Sequence, residues 1–202
     1  MTEPREIPTE DELKVAGALN VLDSQGHEVA FSSLFADQKT IVAFIRHFGC
    51  GRCQEYVGAL AQVPQDKLDS LNTRIVIIGC GQWQPIKSYA EQTKFKGSIY
   101  ADPSRKVYHA FGMDNETLVR TPANEPKRSY VRSGPLALAF SSIWNNAVKH
   151  PELIGKQGNI YQNGGEFILG PGNTCSFASR MQHTEDHVDV DDLLKAAEAP
   201  KA

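Results

Sequence analysis

The side chains best equipped for chemistry are two cysteines in the stretch Ile41-Val-Ala-Phe-Ile-Arg-His-Phe-Gly-Cys-Gly-Arg-Cys53. The apolar run Ile41 to Ile45 reads as a strand and Arg46 to Gly49 as a turn. Gln54 to Val63, with Val57, Leu60 and Ala61 at helical spacing, reads as a helix. Cys50 and Cys53 therefore fall at a helix N-terminus, where unpaired N–H groups and the helix dipole favour an anion. Arg46 and Arg52 add positive charge, so a thiolate is favoured over a thiol. A second thiol one turn along can convert an oxidised first cysteine into an internal disulfide. Two other uses of the pair stay open. Zinc would need two more ligands, which His183-x3-His187 supplies in type. Those histidines start 130 residues beyond Cys53 (183 minus 53), far outside the roughly 12 to 20 residues of compact zinc motifs. Inert buried thiols are the other alternative.

Neighbouring residues have two readings each. Arg46 suits thiolate stabilisation and polarisation of a substrate oxygen, or is a plain strand-end cation. His47 suits proton relay because imidazole titrates near neutrality, or packs in the turn. Cys80, in Gly79-Cys-Gly81, ends a second apolar strand on the same side of a parallel sheet as Cys50, where ligands bind in such folds. It is a third redox thiol or a small buried residue. Cys175 reads as core.

The elements that must hold these residues follow from the pattern. Residues 1–14 carry Pro4, Pro8 and five acidic residues and read as a loose arm. Leu19 to Leu22 and His27 to Phe31 flank the turn Asp23-Ser-Gln-Gly26, a β-hairpin. After the cysteine helix come a short helix at Asp66 to Leu71, a strand at Arg74 to Ile78, a helix opened by Pro85, a strand at Ser98 to Ala101, and a helix capped by Ser104. This β-α-β-α-β order predicts parallel strands with crossover helices. Thr121 to Ser133 is a loop of local charge +2, from Lys127, Arg128 and Arg132 against Glu125. Pro135 to Val148 carries one apolar stripe and predicts a helix, and Lys149 to Gly165 is irregular; together they make an insertion over about 113–165. Glu166 to Leu169 and Thr174 to Ser179 form a hairpin around Gly170-Pro-Gly-Asn173. A last helix capped by Asp189 carries Val190, Leu193 and Leu194, with Val188 and Leu193 as a staple.

A chain of 202 residues with 41% hydrophobic residues buries a sizeable core, and we expect one domain over 15–202. A net charge of −3 with scattered arginines excludes a nucleic-acid surface. Met1 to Lys14 contains no apolar leader, and no apolar run is long enough to span a membrane. Four cysteines are too few for a disulfide scaffold and suit a reducing compartment, so a cytoplasmic location is expected. Neither a metal nor a bound cofactor is expected, and a homodimer is compatible with everything above.

A closer likeness rests on three stretches. Arg46-His-Phe-Gly-Cys-Gly-Arg-Cys-Gln-Glu-Tyr56, Gly164-Gly-Glu-Phe-Ile-Leu-Gly-Pro-Gly-Asn173 and Arg180 to His187 resemble the peroxiredoxin-like 2 family, in the AhpC/TSA branch, over about residues 20 to 197. The resemblance implies an α/β thioredoxin-like, three-layer sandwich with a mixed central sheet, an N-terminal β-hairpin and a helical insertion before the last hairpin. It also implies a thiol-dependent oxidoreductase acting on a peroxide, endoperoxide or disulfide and reset by an external thiol such as thioredoxin or glutathione. Some relatives are described as prostamide/prostaglandin F synthases that reduce endoperoxides. Arg180, Asp186 and His187 are carried to the site's periphery by this resemblance alone. The sequence departs from the peroxiredoxin signature Pro-x-x-x-Thr-x-x-Cys: laid on Cys53, it puts Arg46 in place of the proline and Cys50 in place of the threonine that orients a peroxide. It also lacks the proline that precedes the penultimate strand of thioredoxin, since Gly165 stands there. Proximity to the helix end selects Cys50 as the attacking sulfur, whereas the peroxiredoxin signature would select Cys53. The competing functions are an enzyme that converts a bulky lipid or terpenoid endoperoxide, with the 134–148 segment as an apolar wall, and a non-catalytic interaction module.

Overall fold

In β3 (Lys39–Ile45) and β4 (Thr73–Gly79) nearly every side chain is buried, the pattern of strands covered on both faces. The computed structural model, which describes residues 2–134 and 150–199, pairs them in parallel, Ile41 beside Ile75 and Ile45 beside Gly79. β5 (Ser98–Ala101) continues the parallel set against β4. β6 (Gly165–Leu169) runs antiparallel on the other side of β3, and β7 (Cys175–Arg180) antiparallel to β6. The hairpin of β1 (Asn20–Leu22) and β2 (Glu28–Ala30) joins β5 through Leu22 and Ala101. The result is one mixed seven-stranded sheet in the order β2-β1-β5-β4-β3-β6-β7.

Alternation along the strands divides the core into two halves. Ile41, Ala43, Ile45, Ile75 and Ile77 pack with Tyr56, Val57 and Leu60 of α2 (Gly51–Leu60), Tyr89 of α4 (Ile86–Thr93) and Leu193 of α6 (Val190–Glu198). Val42, Phe44, Val76, Ile78 and Phe167 pack with Leu13 and Ala16 of α1 (Glu10–Gly17), with Phe31, and with Val107 and Tyr108 of α5 (Lys106–Ala110). Helix, sheet, helix is the three-layer arrangement expected. A short helix, α3 (Gln65–Ser70), leads from α2 into β4.

Close backbone approaches explain several glycines. A Cβ on Gly164 would lie 1.8 Å from the Phe44 carbonyl oxygen, and one on Gly81 would lie 2.6 Å from the carbonyl oxygens of Lys156 and Gln157. These contacts bring the start of β6 and the 156–158 loop against the C-terminal ends of β3 and β4.

Three expectations are corrected. The arm over 1–14 is a helix from Glu10 onward: Thr9 Oγ1 accepts from the Glu12 N–H, the Glu12 carboxylate accepts from the Thr9 N–H at 2.7 Å, and Leu13 and Ala16 are buried. The N-cap position of α5 is Arg105 rather than Ser104, and the first helical N–H groups are met from outside it: Ser104 Oγ accepts from the Lys106 N–H at 3.4 Å and Asp102 Oδ2 from the Val107 N–H at 2.8 Å. Asp189 precedes α6 without a side-chain cap, because its Oδ1 accepts from the Ser129 N–H and hydroxyl instead. The helix expected at Pro135 to Val148 lies outside the described residues. Of the insertion, the described parts hold a short 3-10 turn at Pro151–Leu153 and a single bridge between Glu116 and Gln162.

Candidate active site

The parallel strands β3 and β4 end at Ile45 and Gly79, and the chain leaving β3 turns through Arg46 to Gly49 into α2. Tyr108 clamps this edge from the opposite layer: its hydroxyl is 2.6 Å from the Ile45 carbonyl oxygen and 2.9 Å from that of Ile78. Cys50 is the N-cap residue of α2, extended at φ −77° and ψ 111°, and its sulfur accepts from the Cys53 N–H at 3.4 Å. An N-cap acceptor is normally oxygen. A neutral thiol accepts weakly, so filling this position with sulfur favours the thiolate.

The Arg46 side chain is buried beside it. Nη1 is 3.6 Å from Cys50 Sγ, Nε donates to Asn163 Oδ1 at 3.1 Å, and Nη2 donates to the Ile160 carbonyl at 2.5 Å. The guanidinium is thereby fixed from two sides and aimed at the sulfur. Cys50 is held well below the ordinary thiol range. The hydrogen bond from the Cys53 thiol contributes most; burial opposes it, and the charges of His47 and Arg46 and the Cys53 N–H assist. Cys53 moves the other way, pushed well up by burial and by the neighbouring Cys50 charge. Exposure separates the two sulfurs as well: Cys50 is 6% accessible and Cys53 0%. Both are reduced.

Arg52 is not part of this field, contrary to the sequence-based expectation. Its Nε and Nη1 are each 2.8 Å from the carboxylates of Glu185 and Glu55, and Nη1 also reaches the Ser133 carbonyl at 2.8 Å. Its charge is spent on tying the 120–133 loop to α2. His47 is placed beside Cys50, where burial pushes its imidazole below the ordinary 6.5 against the pull of the Cys50 charge. Its Nδ1 has no hydrogen-bond partner among the described residues. Cys80 sits directly behind the turn: its thiol donates to the Arg46 carbonyl at 2.9 Å and is pushed up to about 12 by burial. That places it as a support for the turn rather than a third redox thiol.

Of the three peripheral candidates, His187 alone reaches the thiols. Its Nε2 is 3.5 Å from Cys53 Sγ, and its ring stacks on Tyr56 at 4.2 Å between centroids. Arg180 is committed elsewhere, donating from Nε to the Phe111 carbonyl and from Nη1 to the carbonyls of Glu3 and Glu6, which pins the N-terminal segment. Asp186 pairs with Arg128 and accepts from the Gln182 N–H. Glu166 and Asn163 were missed. Glu166 lies in β6, wholly buried, with Oε1 2.5 Å from His187 Nδ1 and Oε2 accepting from the Val188 N–H at 3.3 Å. A lone carboxylate in the apolar run Gly-Glu-Phe-Ile-Leu was the available signal, because a buried charge demands a partner. His183, the other half of the zinc alternative, faces Glu125 and Asp186. Among the described residues no three His, Cys, Asp or Glu side chains gather as a metal site.

Comparison with known proteins agrees with this architecture. Residues 59–183 match the sequence profile of the AhpC/TSA antioxidant enzymes, a span that begins after both Cys50 and Cys53. The human protein named Peroxiredoxin-like 2C is 34% identical over 177 residues, covering 88% of this chain and 76% of its own. Prostamide/prostaglandin F synthase of Salmo salar is 26% identical over 188 residues, 92% of this chain and 87% of that one. The crystal structure of peroxidoxin BcpB from Mycobacterium tuberculosis superimposes with a TM-score of 0.61 at 12% identity, covering all of both chains. The fold is thus the thioredoxin-like fold of the peroxiredoxins.

Proposed function

From the premise that the chain belongs to the AhpC/TSA antioxidant enzyme family, and so to the thiol oxidoreductases, we propose that it uses Cys50 and Cys53 to reduce an O–O or S–S bond. The Cys50 thiolate attacks one atom of that bond, the other departs with a proton, and Cys53 then displaces the group held on Cys50 to leave a Cys50–Cys53 disulfide. An external thiol such as thioredoxin or glutathione resets the pair. The observation that carries the reading is the sulfur of Cys50 standing as the N-cap acceptor of α2 with the Arg46 guanidinium behind it. Arg46 has the second task of drawing electron density from the reacting oxygen, the part a threonine plays in the peroxiredoxin signature. Cytoplasmic location belongs to the same proposal, supported by thiols suited to a reducing compartment; no helix among the described residues is long and apolar enough to cross a membrane.

An apolar, bulkier substrate is the second reading, favoured by one feature of the rim. Ile160, whose carbonyl holds Arg46, is exposed, as are Tyr161, Leu118 and Val119, and Thr117 N–H donates to the Tyr161 carbonyl at 2.8 Å. These residues form an apolar margin next to the guanidinium that suits a lipid hydroperoxide or endoperoxide better than hydrogen peroxide. The test is to expose the reduced protein to hydrogen peroxide, a lipid endoperoxide and a small disulfide, then map new bridges by peptide mass spectrometry. In Cys53→Ser, dimedone should trap Cys50 as a sulfenic acid after peroxide. If none of the three oxidants modifies Cys50, the chain is not an oxidoreductase of this kind.

A further inference from the structure

A carboxylate and an imidazole, each 0% exposed, stand in line behind the second thiol: Glu166 Oε1 to His187 Nδ1 at 2.5 Å, and His187 Nε2 to Cys53 Sγ at 3.5 Å. Burying two ionisable groups here is expensive, and apolar residues of like volume commonly serve stability as well or better. A carboxylate only accepts, so the ring proton lies on Nδ1 and Nε2 is left as a lone pair facing the thiol. Tyr56 fixes the ring plane by stacking, and the Tyr130 hydroxyl accepts from the His187 N–H at 3.1 Å. Among the described residues, the other titratable rings against this one are those same two tyrosines, on α2 and on the 120–133 loop. Burial pushes both phenols up, so both stay neutral. Glu166 from β6 is the carboxylate at the ring's Nδ1, and on the thiol side the Arg46 backbone N–H donates to Cys53 Sγ at 3.4 Å.

We propose that His187 is the general base of the disulfide-closing step and Glu166 the residue that positions and charges it. The inference rests on the function proposed above and concerns its second half. In the reduced protein burial and the neighbouring Cys50 charge keep the proton on Cys53. Oxidation of Cys50 by a hydroperoxide forms the S–O bond, breaks the O–O bond and removes the charge that held the Cys53 proton. That proton then passes to His187 Nε2, giving an imidazolium paired with Glu166. The Cys53 thiolate attacks Cys50 sulfur, the S–S bond forms, the S–O bond breaks, and the departing hydroxide takes the proton and leaves as water. One sulfenic acid and one thiol become one disulfide and one water. Without such a base Cys53 would be slow to ionise, since burial holds its proton on.

The test compares wild type, Glu166→Gln and His187→Gln in rapid-quench experiments with hydrogen peroxide and with diamide, which loads Cys50 without a peroxide. Mass spectrometry after acid quench separates the Cys50 adduct from the closed bridge. In both variants the ratio of closure rate to Cys50 loading rate should fall at least tenfold at pH 7, general-base catalysis being worth roughly 10²–10⁴-fold. Closure in His187→Gln should climb by about tenfold per pH unit, as for unassisted thiol ionisation, and wild-type closure should depend less steeply on pH. Unchanged ratios and profiles in both variants overturn the proposal. Should the variants not fold, nitrogen chemical shifts of His187 in the reduced wild type decide: unprotonated Nε2 supports the relay and protonated Nε2 refutes it. Closure with diamide but not with peroxide would sink the peroxide chemistry while the diamide ratios still judge the relay. No bridge with either oxidant overturns both.

Discussion

Replacing Arg46 by methionine keeps an unbranched apolar stem and removes the charged head group, so it isolates what the guanidinium does for Cys50. A unit charge 3.6 Å from the sulfur is worth about 4–5 kcal/mol at an effective dielectric constant near 20, an upper bound because the same head group also serves Asn163 and Ile160. A hydrogen bond to a charged group realises about 1.5–3 kcal/mol, which is roughly a 10- to 100-fold loss of thiolate at a pH below the ionisation. The assay is the rate of Cys50 alkylation by iodoacetamide across pH, read by mass spectrometry. In Arg46→Met the rise of that rate with pH should move to higher pH, with a 10- to 100-fold deficit at the acid end. At the alkaline end the variant should overtake wild type slightly, because a less stabilised thiolate is the better nucleophile. Arg46→Lys should fall between the two, since one ammonium cannot reach the sulfur, Asn163 and Ile160 together. A melting curve belongs with the assay: leaving Asn163 Oδ1 and the Ile160 carbonyl unpaired costs about 1–3 kcal/mol each if no water replaces the arginine. An Arg46→Met protein that stays folded with an unshifted alkylation profile would refute the idea that this guanidinium ionises Cys50.

Three further outcomes follow from neighbouring contacts. Thr9→Ala removes the capping box of α1 and should lower stability by about 1 kcal/mol, a fall of about 2–4 °C in Tm, with faster amide exchange confined to the first turns of α1. Glu185 is opposed by burial, yet hydrogen bonds from Thr121, Arg120 and Arg52 hold its carboxyl down to about 2, below the ordinary 4.5. Its folded-state value lies below the unfolded one, so the stability it adds is complete above 4.5 and is lost as pH falls towards 2. Glu185→Gln should be less stable than wild type at pH 7, with that deficit shrinking over this acid window in urea titrations. Cys80, pushed up to about 12 by burial, should resist iodoacetamide at pH 8 in the folded protein and react only after denaturation; rapid native labelling would contradict its placement as a support.

What the sequence made legible was whatever depends on neighbours along the chain. The run Ile41 to Ile45, the break at Gly49 and the periodic Val57 and Leu60 place Cys50 and Cys53 at a helix start, and that is where they stand. The hairpins around Gly26 and Gly172 were readable for the same reason, since a turn with positive φ, +82° and +72° at these glycines, announces itself locally. Reading residues 1–14 by composition alone hid α1, although Thr9 and Glu12 spelled its capping box and Leu13 and Ala16 its buried face. Arg52 shows the limit of counting charges: a cation near a thiol in sequence is useful only if no carboxylate claims it first, and here Glu55 and Glu185 do.

Separation along the chain is not separation in space. Chain separation counts against a zinc motif joining Cys50 and Cys53 to His183 and His187, and it is the family likeness alone that carries His187 to the periphery of the site. Yet β6 lies against β3 and the chain returns through β7, so His187 arrives 3.5 Å from Cys53 with Glu166 behind it. The chain distance that counts against a compact metal motif places no restriction on a catalytic pair assembled by sheet pairing, because antiparallel neighbours on a central strand can come from any part of the chain. A buried charge inside a central apolar strand is therefore the more useful clue. Glu166 had to find a partner with a polar hydrogen somewhere in the fold, and the partner it found is the group through which it reaches the reacting sulfur.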